Sequence, residues 1–68
     1  MGFEKTVLNQ VNEVEPTVQA HFACGTLFLE NATDEEVQNI VAAIKGVVNC
    51  RLIVNSRPGQ LESSVDFA

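Results

Sequence analysis

The sequence predicts an α+β fold, a small α/β-type domain built as a two-layer sandwich. Helices cover one face of a three-stranded mixed sheet in the order α-β-α-β-β. Three observations carry this reading: a central helix marked at both ends, alternating segments on each side of it, and a length of 68 residues, which holds a single domain spanning 1–68.

The central helix is the most strongly marked element. Thr33-Asp34-Glu35-Glu36 is a capping box, in which the Thr33 hydroxyl can accept from the Glu36 amide while the Glu36 carboxylate reaches back to the Thr33 amide. Three acids in the first turn suit the positive end of the helix dipole. Val37, Ile40, Val41 and Ile44 then recur at three and four, forming one apolar stripe. Lys45 follows in the last turn, and Gly46 is placed to close the helix in the left-handed conformation. The pattern predicts a helix over 34–45.

Strands flank it. Between Val18 and Leu29 the even positions are mostly apolar (Val18, Ala20, Phe22, Cys24, Phe28), while the odd ones change from polar Gln19 and His21 to apolar Leu27 and Leu29. This predicts a strand that becomes two-sided, or one in which Gly25 hosts a bulge that swaps the faces. Val48, Cys50, Leu52 and Val54 alternate with Asn49, Arg51, Ile53 and Asn55, a second strand that completes a βαβ unit. Arg57-Pro58-Gly59-Gln60 has the type II turn signature, and Leu61, Ser63, Val65 and Phe67 resume the alternation. The expected hairpin sets Val54 against Leu61, Leu52 against Ser63, Cys50 against Val65 and Val48 against Phe67, with Arg51 opposite Ser64.

The first segment is more evenly balanced. Phe3, Val7, Val11 and Val14 fall at helical spacing before Pro16, which predicts a helix. Its β-branched residues support the alternative order β-β-α-β-β, with a strand in its place.

Four Lys and Arg against nine Asp and Glu give a formal charge of −5. That disfavours direct binding to nucleic acid or to an anionic membrane, both of which require a basic surface. The chain start shows no basic region followed by an apolar run, and no apolar stretch approaches the roughly 18–20 residues that span a bilayer. Gly2 and Thr6 satisfy the short myristoylation pattern, which matches by chance often. Two cysteines do not make a disulfide framework, so a reducing cytoplasm is the expected location.

No chemistry-bearing constellation emerges. His21 and Cys24 project to opposite faces of an uninterrupted strand, and at most two soft ligands share a face, short of a zinc site. Cys24 and Cys50 are therefore expected to be buried thiols, with no metal and no cofactor. The acids are accounted for by capping and solvation, no Gly-rich phosphate loop occurs, and Asn31-Ala32-Thr33 matches a glycosylation sequon whose Thr is better used as a cap. Thr26–Asn31 followed by Thr33–Val37 resembles the first strand and helix of an RNA-recognition motif. The later Lys/Arg-Gly-aromatic run and the basic charge of that family are missing, so the likeness is one of βαβ geometry.

The sheet face opposite the helices is expected to carry His21, Leu27, Leu29, Arg51, Ile53, Glu62 and Asp66, apolar in patches and charged at its rim, as interfaces are. The sequence therefore reads as a small acidic, non-enzymatic protein-interaction or regulatory module that forms a homodimer. The alternatives are an acidic inhibitor of a nucleic-acid-binding protein, of the kind found among phage and accessory proteins, and a small-ligand or nucleotide-binding module using the helix N-terminus at Thr33.

Overall fold

The computed structural model describes residues 2–68, so Met1 of the chain-start pattern lies outside it. The elements are α1 (Gly2–Val14), β1 (Gln19–Ala23), β2 (Thr26–Glu30), α2 (Asp34–Lys45), β3 (Leu52–Arg57) and β4 (Glu62–Phe67), with one 3₁₀ turn at Pro58–Gln60. The α+β class and the two layers are as expected. The sheet has four strands rather than three, in the order β1-β2-β4-β3, and every ladder is antiparallel rather than mixed. Because β2 and β3 both oppose β4, they run parallel to each other with β4 between them. The strand–helix–strand unit read from the sequence thus exists in split form.

The segment 18–29 folds as a hairpin and not as one strand. Cys24 and Gly25 both take positive φ, 53° and 78°, between the paired residues Ala23 and Thr26. Two successive positive φ values in a two-residue loop make the type I′ turn, whose twist matches that of the strands it joins. The turn switches parity. Ala20 and Phe22 face the helices from β1, whereas Leu27 and Leu29 do so from β2. Leu27 and Leu29 are 0% and 1% exposed, so they belong to the core and not to the outer face. Cys24, at the tip of the turn, is exposed and Cys50 is half-buried, so neither is the buried core thiol the sequence suggested.

The second hairpin is also shifted. Arg57 pairs with Glu62 across a four-residue loop, in which the 3₁₀ turn is followed by Leu61 at φ 55°. The positive φ falls on Leu61 instead of Gly59, and the Leu61 carbonyl accepts from the Ala32 amide at 3.0 Å, tying the loop to the entry of α2. The register lies four positions from the expected one. Val54 opposes Val65, Leu52 opposes Phe67, and Asn55, not Arg51, opposes Ser64. Val48 and Cys50 precede β3 instead of forming part of it.

Both helices pack on the inner face. α1 buries Val7 and Val11, which settles the first segment as a helix, and α2 buries Val37, Ile40 and Ile44. The capping box is complete, with Thr33 N–H donating to Glu36 Oε1 at 2.8 Å and Glu36 N–H to Thr33 Oγ1 at 3.3 Å. Gly46 stays right-handed at φ −78°, and α2 closes through bonds from Gly46 N–H to the Ala43 carbonyl and from Val47 N–H to the Ile44 carbonyl. Asn39 donates to Glu15 at 3.0 Å and links the two helices. Val65, on interior strand β4, completes the core, and a cluster of Phe3, Phe22 and Phe67 rings, with centroids 5.5–5.9 Å apart, closes one end of it.

Candidate functional site

With both helices on one side, the other side of the sheet is open. The ladders fix its layout as three rows read from β1 to β3. The first is Ala23, Thr26, Asp66, Ile53, the second His21, Phe28, Ser64, Asn55, and the third Gln19, Glu30, Glu62, Arg57. His21, Ile53, Glu62 and Asp66 thus share the face on which sequence parity placed them. Arg51 stands one pair beyond Ile53, exposed, its backbone bonded in both directions to Ala68 at 3.3 and 2.9 Å. Leu27 and Leu29 are absent from this face for the reason given above.

Phe28 takes their place. It is 37% exposed at the centre of the face, its ring stacked on that of His21 with centroids 5.4 Å apart and planes 20° from parallel. Such a stack restrains both rings and gives the centre of the face an aromatic, semi-rigid character at small entropic cost. Ile53, 44% exposed, adds an aliphatic contact at the β3 end of the first row. Sequence parity carried from Val18 through an uninterrupted strand turned Phe28 inward. The signal that could have placed it correctly was the parity change across Cys24-Gly25.

The polar groups are unevenly arranged. Thr26 Oγ1 donates to Asp66 Oδ1 at 2.5 Å, which fixes the Asp66 side chain between two strands. Glu30 and Glu62 are direct cross-strand partners, both exposed, and like charges so placed repel. Arg57 opposes Glu62 from β3, leaving the row with an excess of negative charge. A shallow depression of about 570 Å³ runs over Phe28, Ser64, Asn55, Arg57 and Glu62.

Among the described residues no group of three or more His, Cys, Asp or Glu side chains is disposed to hold a metal ion, and no helix is long and apolar enough to cross a membrane. His21 faces outward on β1 while Cys24 occupies the turn and Cys50 the approach to β3. At the N-terminus of α2, the Thr33 and Glu36 amides are taken up by the capping box, and Asp34, Glu35 and Glu36 crowd the turn with negative charge. This leaves little for an anionic ligand to bind. Comparison with protein-family models, curated proteins and solved structures finds no match to this chain.

Proposed function

We propose that the chain is a non-enzymatic protein-interaction module of the cytoplasm that engages its partner through the open face of the sheet. The observation that carries this reading is the stacked His21–Phe28 pair, exposed at the centre of a face that none of the described elements covers. An aromatic centre with a polar rim is the usual anatomy of a protein interface. A shallow depression of this kind suits a protein surface better than a small substrate, which binds in a deeper, more enclosed cleft.

The excess of carboxylate in the Glu30–Glu62 row favours a second reading within the same class, an inhibitor that lays this face against the basic groove of a nucleic-acid-binding protein. Capture from a lysate by immobilised wild type beside Phe28→Ser tests the face. A partner held by the wild type and lost by the variant supports it, and equal capture by both removes it. Raising the salt concentration separates the two readings, because a basic-groove partner is released steeply and an apolar one is not.

A further inference from the structure

Building on the reading of the open face as the binding surface, we infer that a hollow in it accepts the guanidinium of an arginine on the partner protein. The hollow lies between the His21–Phe28 stack and the Glu30–Glu62 pair. It measures about 220 Å³ and is lined by His21, Phe28, Leu29, Glu30, Glu62 and Ser63. Small-molecule sites begin at roughly 300 Å³, so this one suits the head of a single side chain.

Its walls differ in kind. The stacked rings form one, and the other is a pair of carboxylates on directly opposed, exposed residues whose Cβ atoms stand about 5 Å apart. Phe28 precedes Glu30 by two residues on the same face, about 7 Å along the strand, so ring and carboxylates bound one space. Arg57 opposes Glu62 from its far side and lines the neighbouring depression, not this one. A cation between the two carboxylates turns their mutual repulsion into attraction, and the adjacent aromatic ring favours it further. Arginine meets this geometry better than lysine. Its planar fork of N–H donors reaches both carboxylates at once and is weakly hydrated, whereas an ammonium is a compact, strongly hydrated point charge. A hard metal ion requires roughly six to eight oxygens, and among the described residues no group of three or more acidic, His or Cys side chains is disposed to hold one.

The charge of the whole molecule favours the same ligand. Because α1 ends and α2 begins where β2 ends and β4 starts, Glu13, Glu15, Asp34, Glu35 and Glu36 gather at the end of the molecule that holds Glu30 and Glu62. Seven of the nine acids lie there with one of the four basic residues, Arg57, while Lys5, Lys45 and Arg51 lie at the opposite end. The Glu30–Glu62 row is where the negative end meets the open face. A cationic group is therefore steered toward the hollow before it makes contact.

Nuclear magnetic resonance titration of the full chain with an acetylated, amidated triarginine peptide, up to about 10 mM, tests the assignment. Trilysine and triglutamine peptides of the same form are the comparisons. Triarginine should shift the Phe28, Glu30, Glu62 and Ser63 amides together and bind at least roughly threefold tighter than trilysine, with no shifts from triglutamine. The double variant Glu30→Gln, Glu62→Gln should bind triarginine about tenfold more weakly, and its melting temperature should stay unchanged or rise because a like-charge pair is gone. Glu35→Gln, at the same end but outside the hollow, should change binding by less than about twofold. Equal affinity for triarginine and trilysine, shifts confined to the first turn of α2, or wild-type binding by the double variant overturns the assignment. Partner capture separates this from the reading beneath it. Capture lost with Phe28→Ser but kept by the double variant removes the arginine and leaves the face standing, whereas capture kept by both removes the face and the arginine with it.

Discussion

Replacing Leu27 by alanine distinguishes the core from the outer face more sharply than any other single change. Leu27 is fully buried on β2, between Phe22 of β1 and Val65 of β4, and its side chain points into the layer of α1 and α2. Removing three carbons loses about 2.4 kcal/mol of transfer free energy at roughly 0.8 kcal/mol per methylene. The cavity left between two rigid layers raises the loss to about 3–4 kcal/mol. A chain of this size has a total stability of only about 3–5 kcal/mol, so Leu27→Ala should be close to unfolded at room temperature. Its neighbour Phe28 points the other way, and Phe28→Ser should lose less than about 1 kcal/mol. Urea denaturation followed by circular dichroism at low temperature measures both. Equal losses for the two variants, or a larger one for Phe28→Ser, would refute the parity of β2 and with it the Cys24-Gly25 turn.

Further outcomes follow from the local geometry. Cys24 holds a left-handed conformation that disfavours side chains other than Asn, Asp and Gly, so Cys24→Asn should raise stability by about 0.5–1 kcal/mol, read as a higher melting temperature. Thr33→Ala removes the acceptor for the Glu36 amide and should lower stability by about 1 kcal/mol in the same assay, and an unchanged midpoint would show that the cap contributes nothing. In the native protein a thiol reagent should label exposed Cys24 rapidly and half-buried Cys50 more slowly. Protection of both without denaturant would contradict the structure.

The parts legible in the sequence are those specified by neighbours along the chain. Thr33, Glu36 and the Val37–Ile44 stripe define α2 through contacts within four residues, and the spacing of Val7 and Val11 defines α1 in the same way. The strands depend on turns whose residues are unusual for their conformation. A type I′ turn normally begins with Asn or Asp, and here Cys24 takes that place, so the chain read as one strand through it. Pro58-Gly59 suggested a two-residue loop, whereas the positive φ falls on Leu61, whose carbonyl bonds to Ala32, far away in sequence. That long-range contact accompanies the four-residue loop and leaves no local trace in the sequence. For the candidate face, His21, Ile53, Glu62 and Asp66 came from parity alone, which survives a shift by an even number of residues. Phe28 was missed and Leu27 and Leu29 were misplaced because a two-residue turn inverts the parity of everything after it.

The uncovered side of the sheet is proposed as the working surface. The most direct measurement is amide chemical-shift mapping of the labelled chain as the partner captured by the wild type is added. If the open face binds the partner, the amides of Thr26, Phe28, Ser64, Asn55 and Ile53 shift together while those along α1 and α2 hold their positions. Shifts confined to the helices, with the Phe28 row unmoved, would contradict it.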